Sequence, residues 1–147
     1  MKVIFLDVDG VLNSNSTNAI SPNGYVGVSD KYVKLLRRIV NETDAKVVLS
    51  SDWRLDHGPD YKYLTNKLWY KGGIRLFSET PNIGWEWRGN EIKTWLSEHE
   101  DVENYVILDD ISFPDFMGDL EDHLIETDPT IGLTDEDVEL AVGVLNK

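Results

Sequence analysis

Apolar runs of strand length alternate with amphipathic segments along this chain of 147 residues. The apolar runs predict buried strands over residues 2–8, 45–51, 74–77, 104–110 and 123–127. Between them, apolar residues recur at helical spacing and predict helices over residues 30–42, 60–73, 89–99 and 134–147. Residues 10–28, which are rich in Asn, Ser and Gly, predict a loop or a small hairpin.

Local signals mark the ends of the predicted helices. Ser29 is a candidate N-cap for the first helix, and Gly72 and Gly73 end the second. Thr134 precedes Asp137 by three residues, which is the spacing of a capping box.

Strands that alternate with helices predict an α/β fold. We expect a Rossmann-like, open and mostly parallel sheet with helices on both faces, in one domain over residues 1–147. Ligands of such sheets bind beyond the carboxyl ends of the strands. The polar residues at those predicted ends are Asp7, Asp9, Ser50, Ser51, Asp52, Asp109 and Asp110.

Carboxylates gathered at one edge need a positive partner. Residues two apart on a strand point to the same face, so we expect Asp7 and Asp9 to share one face and to repel unless a cation or a proton intervenes. A hard divalent cation with oxygen ligands is the usual solution, so we predict a Mg²⁺ site. Arg54, Arg88 and Lys93 are the nearby candidates to hold a phosphate.

Composition and charge narrow the class of protein. The chain is 41% hydrophobic and 28% charged, as soluble globular proteins are, and it has no apolar run of membrane-spanning length. Without cysteine, disulfides, thiolate metal sites and a cysteine nucleophile are excluded, and we expect a cytoplasmic protein. A formal net charge of −13 argues against strong nonspecific binding to nucleic acid, but it leaves room for a pocket that holds one phosphate.

Four short motifs, in order, resemble the signatures of haloacid dehalogenase-like (HAD) phosphohydrolases. "FLDVDGVL" resembles the first signature and "VVLSSDWR" the second, "WRGNEIKTWL" contains the basic third, and "VILDD" resembles the acidic fourth. Together with the late "TDPTIGLT", they resemble a small capless branch that occurs alone and fused in RNA repair proteins, including phage and bacterial ones. The gaps between the motifs are too short for a large cap domain, so we expect an open site.

The resemblance implies a role for each matching residue. Asp7 would be the nucleophile, and Asp9 the general acid and base. Mg²⁺ would bind Asp7, the main-chain carbonyl of Asp9, Asp109 and Asp110. Ser50 would hold phosphoryl oxygens, and Arg88 would neutralise their charge.

Several assignments stay open at this stage. The third signature could be Arg88, Lys93 or Arg75, and the second could be Ser50 or Ser51. Arg54 is a surface residue or a substrate contact. Asp52 is expected in a turn, and no histidine metal site is expected.

The tryptophans carry a further expectation. We expect Trp53, Trp69 and Trp95 in the core, because aromatic residues dominate core burial. Trp85 and Trp87 either pack in the core, anchor a loop or form a platform for a nucleic-acid base.

The resulting function is a Mg²⁺-dependent phosphatase acting on a nucleotide, another small phosphorylated molecule or a phosphorylated nucleic-acid end. A non-catalytic interaction or regulatory domain on the same fold, and a phosphotransferase, are the alternatives.

Overall fold

Five parallel strands form one open sheet in the order β3-β2-β1-β4-β5, so that β1 lies at its centre. The computed structural model describes residues 1–84 and 87–147. The strands are β1 (Lys2–Leu6), β2 (Lys46–Leu49), β3 (Leu76–Glu79), β4 (Asn104–Asp109) and β5 (Leu124–Glu126). The expected Rossmann-like sheet is confirmed, and its described strands are all parallel.

Four α-helices cover the two faces of the sheet. They are α1 (Asp30–Thr43), α2 (Pro59–Gly72), α3 (Arg88–Ser97) and α4 (Asp135–Leu145). The predicted capping box starts α4, where the Asp137 N–H donates to the Thr134 hydroxyl at 3.1 Å and the Thr134 N–H donates to the Asp137 carboxylate at 3.0 Å.

The alternation of side chains along β1 divides the core into two layers. Ile4 and Leu6 pack with the buried residues of α1, α2 and α4. Val3 and Phe5 face the opposite way and pack with α3 and the short 3₁₀ segments near Phe116. Helices on both faces are therefore confirmed.

Two expectations need correction. The third strand begins two residues later than the predicted position 74, because Gly73 is left-handed and the Ile74 N–H donates back to the Leu68 carbonyl in the cap of α2. Trp69 is 44% exposed, not in the core. It lies roughly 100° around α2 from the buried Leu68, where Arg75 stacks on its ring.

In the part of the chain that the structure describes, short connections join the strands and helices, and no cap domain is inserted between them. Between β1 and α1 the chain makes a turn at Val8–Leu12 and a hairpin with one antiparallel bridge, Ile20 to Val26. Between β2 and α3, the residues that the structure describes form α2, β3, a short 3₁₀ turn and connecting loops. Among the described helices, none is long and apolar enough to cross a membrane.

Candidate active site

The ends of three neighbouring strands bring the predicted polar residues together. The Asp7 N–H donates to the Leu108 carbonyl of β4 at 3.0 Å, and the Ser50 N–H donates to the Leu6 carbonyl of β1 at 2.8 Å. These bonds extend the sheet ladder by one residue on each strand. Asp7, Ser50 and the end of β4 therefore share the carboxyl edge of the sheet.

Three carboxylates form the centre of this edge. Asp7, Asp109 and Asp110 each offer an oxygen, and these oxygens all lie within 4.8 Å of one another. Gly10 makes room for them, because a Cβ at that position would lie 2.4 Å from an Asp110 carboxylate oxygen. Its φ of +80° also suits glycine.

The electrostatics of the cluster show an excess of negative groups. Burial raises the pKa of Asp7 from its ordinary 3.8 to about 7, although the Arg88 guanidinium opposes the rise. Burial also raises the pKa of Asp109 well above its ordinary value, and the neighbouring Asp7 adds to that rise. In the absence of a cation, Asp7 and Asp109 therefore retain their protons more strongly than exposed aspartates do.

Arg88 is the cation that the fold brings to the cluster. From the first turn of α3, its Nη1 donates to the Ser50 carbonyl at 2.8 Å and to Asp109 at 3.4 Å, and it lies 3.6 Å from Asp7. The guanidinium is buried and lies over the Phe113 ring, 5.1 Å from its centroid. Asp52, expected in a turn, also lies 3.6 Å from its Nη2.

The structure does not bring Lys93 to the aspartates. Lys93 is exposed on α3, five residues after Arg88 and therefore about 140° further around the helix. Among the alternatives for the third signature, Arg88 is the one that meets the carboxylates.

Arg54 is buried and forms an ion pair away from the three clustered aspartates. Its Nη2 donates to Glu91 at 2.5 Å and to the Thr80 hydroxyl at 3.1 Å. A solvated surface position is therefore wrong for Arg54, and its described contacts do not include the aspartate cluster. The same oxygen of Glu91 lies 3.5 Å from Arg88 Nε, so Glu91 serves both arginines.

Glu91 is the residue that the sequence analysis missed. It is 1% exposed, and its second oxygen accepts from the N–H groups of Ile83 and Gly84 at 2.7 and 3.3 Å. Its position three residues after Arg88 was the available signal, since residues at that spacing are neighbours on a helix surface.

The two serines after β2 have different surroundings. The Ser51 hydroxyl accepts from the Trp53 N–H at 3.2 Å, and its hydrogen bond to Asp7 acts to lower the pKa of that carboxyl. The Ser50 hydroxyl is buried and has no hydrogen-bond partner among the described residues. Ser50 therefore retains a donor at the strand end.

Asp9 is separate from the three clustered carboxylates. Strand β1 ends at Leu6 and the chain then turns, so Asp9 is exposed and the same-face premise for Asp7 and Asp9 is wrong. One Asp9 oxygen accepts from Asn13 Nδ2 at 3.0 Å and the other from Trp53 Nε1 at 3.1 Å. These two bonds fix the position of the Asp9 carboxyl group.

The remaining tryptophans divide between core and surface. Trp53 and Trp95 are buried as expected. Trp87 is half exposed directly before α3 and not in the core, and Trp85 lies outside the described residues.

The donor set fits Mg²⁺. It consists of hard carboxylate oxygens, which this ion prefers. Among the described residues, the buried Arg88 guanidinium pairs with Asp7 and Asp109 of the three carboxylates, so a divalent cation would balance the remaining negative charge. Asp7, Asp109 and Asp110 are the side chains that could hold it.

A comparison with known protein families identifies the family to which the chain belongs. The sequence model of the family described as "HAD domain in Swiss Army Knife RNA repair proteins" matches residues 3–138. The chain belongs to this family. No curated protein and no solved structure matches the chain significantly.

Membership in the HAD family agrees with the fold and with the order of the motifs. The described part of the chain is a HAD fold of the phosphohydrolase type without a cap domain.

Proposed function

We propose that this HAD domain hydrolyses phosphomonoesters through a phosphorylated Asp7. The observation that carries the proposal is the meeting of three aspartates with the buried Arg88 at the carboxyl edge of the sheet. Phosphoryl transfer depends mainly on positioning and on cancelling charge, and this arrangement offers both.

In the first step, an Asp7 carboxylate oxygen attacks phosphorus while the bond from phosphorus to the leaving oxygen breaks. The Asp9 carboxyl gives its proton to that oxygen. In the second step, water attacks the same phosphorus and Asp9 takes the water proton. The bond between phosphorus and Asp7 breaks, which releases inorganic phosphate and restores the Asp7 carboxylate.

The surrounding groups stabilise the charge that develops. Arg88 offers a fixed positive charge to the phosphoryl oxygens, and the Ser50 hydroxyl offers a hydrogen bond. Mg²⁺, held by Asp7, Asp109, Asp110 and the main-chain carbonyl of Asp9, would when bound neutralise the carboxylates and draw charge from the phosphoryl group.

For the substrate, we propose a nucleotide or a phosphorylated nucleic-acid end. The description of the family names RNA repair proteins, and the capless site is open enough for a bulky leaving group. The net charge of −13 weighs against tight binding of a long polynucleotide.

The test is phosphate release from a panel of mononucleotides, 3′- and 5′-phosphorylated oligonucleotides, sugar phosphates and phosphopeptides with Mg²⁺. Asp7→Asn and Asp9→Asn should each abolish release and keep the circular dichroism spectrum, and EDTA should silence the unmodified protein. Asp122→Asn, at an exposed aspartate far along the chain, is the matched control.

Three outcomes would contradict the proposal. Full turnover by Asp7→Asn would exclude the phosphorylated aspartate. A flat response to the whole panel would favour a non-catalytic interaction domain. Passage of phosphate to an acceptor other than water would make the protein a phosphotransferase.

A further inference from the structure

A cavity of about 350 Å³ opens beside the Asp9 carboxyl group. Its lining includes the acidic residues Asp9 and Asp110 and the apolar or aromatic residues Tyr25, Val26 and Pro129. The lining of the cavity therefore combines polar residues, which include the proposed acid, with apolar and aromatic residues of the hairpin and of the loop after β5. Its volume lies in the usual range of small-molecule sites.

The hairpin that carries Tyr25 is held in place from two sides. Asn13 Nδ2 bridges the Asp9 carboxylate and the Gly27 carbonyl, at 3.0 Å each. On the far side, the Asn23 N–H donates to the buried Asp60 carboxylate of α2 at 3.0 Å. Asn13 thus connects the hairpin that carries Tyr25 to Asp9, the proposed acid.

Tyr25 has an exposed ring at this cavity. The residue is 61% exposed, and its hydroxyl makes no hydrogen bond to any residue in the described ranges. An exposed aromatic ring beside a cavity can stack on a flat heteroaromatic ring without strong sequence preference. The exposed Asn15 also lines the cavity, and its amide can form hydrogen bonds with the edge of such a ring or with a sugar.

We infer that this cavity holds the nucleoside of a nucleoside monophosphate, with the base on Tyr25 and the sugar next to Asp9. The inference rests on the proposed function, because the leaving oxygen must lie within reach of the Asp9 proton. A sugar suits the polar lining residues next to Asp9, and a base suits the aromatic and apolar residues Tyr25, Val26 and Pro129.

Charge favours one nucleoside over a longer strand. Asp9 and Asp110 line the cavity, and the chain has a net charge of −13. Each additional phosphodiester would bring another negative charge to this surface without a described counter-charge in the cavity lining. A free mononucleotide carries only the phosphate that the cluster itself receives.

The kinetic test compares kcat/KM for a nucleoside monophosphate with kcat/KM for ribose 5-phosphate, which lacks the base. Tyr25→Ala should lower this ratio about tenfold, since loss of one stacking contact has that order of effect. Tyr25→Phe should keep the ratio because it keeps the ring. Tyr70→Ala, at a tyrosine that is 77% exposed on α2, is the matched control and should also keep it.

A ratio that Tyr25→Ala leaves unchanged would overturn the inference. A 3′-phosphorylated oligonucleotide with a higher kcat/KM than the mononucleotide would overturn its restriction to one nucleoside. Neither result would affect the proposed hydrolysis.

A binding experiment tests the nucleoside inference independently of the proposed hydrolysis. Titration of Asp7→Asn with adenosine monophosphate and with ribose 5-phosphate, followed by NMR, measures recognition of the base without turnover. Tighter binding of adenosine monophosphate that is lost in Tyr25→Ala supports the inference even if no substrate is hydrolysed. Equal dissociation constants for the two ligands would overturn it.

Discussion

The buried carboxylate of Glu91 should contribute more to stability than any exposed acid on the surface. Glu91→Gln keeps the volume and a hydrogen-bond acceptor but removes the negative charge shared by Arg54 and Arg88. Arg88 would retain Asp7 and Asp109 as partners. Arg54 would retain only the neutral Thr80 hydroxyl among its described contacts.

The magnitude follows from that loss. Removing one partner of a buried ion pair costs about 3–5 kcal/mol because the other charge stays buried without compensation. Glutamine keeps only one acceptor oxygen, and its NH2 group would face either Arg54 or the N–H groups of Ile83 and Gly84, so we expect a cost of about 4 kcal/mol. For a domain of this size, that corresponds to a fall of about 10 °C in Tm.

Urea denaturation of the unmodified protein, Glu91→Gln and the exposed control Glu139→Gln measures the effect at pH 7. Arg54→Met combined with Glu91→Gln should be more stable than the sum of the single changes predicts, since the unpaired guanidinium is then absent. A loss below about 0.5 kcal/mol for Glu91→Gln, as at surface sites, would refute a buried charge network.

Three further predictions follow from the same structure. Gly10→Ala should raise the Mg²⁺ concentration needed for half-maximal thermal stabilisation, because the added Cβ would displace Asp110. Gly24 has a similar positive φ and open space around it, so Gly24→Ala should leave that concentration unchanged. In EDTA, the free energy of unfolding should fall as pH rises from about 4 through about 7, because the folded protein holds the Asp7 proton over that window and the unfolded chain does not. Thermal melts at a series of pH values in EDTA should show that the stability of Asp7→Asn falls less steeply with pH than that of the unmodified protein. An equal slope for the two proteins would contradict the raised pKa of Asp7. Thr134→Ala should cost about 1 kcal/mol in urea denaturation by removing the cap of α4, and an unchanged midpoint would argue against that cap.

The strand ends are predictable from sequence because a buried parallel strand is a continuous apolar run, and the first polar residue marks where it leaves the core. The ends of the apolar runs in the sequence therefore predict that Asp7, Ser50 and Asp109 lie at one edge of the sheet. Arg88 follows from its position before a helix. The helix ends at Gly73 and Thr134 are predictable because their signals are local.

Other features depend on tertiary contacts that no local pattern encodes. The buried position of Arg54 follows from Glu91, which lies 37 residues away along the chain. Asp9 separates from Asp7 because the chain turns after Leu6, whereas the spacing of two residues suggested a shared strand face. Trp69 is on the surface because its helix buries the neighbouring Leu68.

The central place of β1 gives the two halves of the site different dynamics. Asp7 extends a strand that pairs on both sides, so its amide should exchange with solvent only when the whole sheet opens. The hairpin at Tyr25 lies outside the sheet. Its bonds to Asn13 and Asp60 can break without breaking any strand pairing, so it should open at a lower free energy than β1. On the proposed function, we therefore expect the nucleoside to exchange through local opening of the hairpin, while the Asp7 carboxylate keeps its position for as long as the domain stays folded.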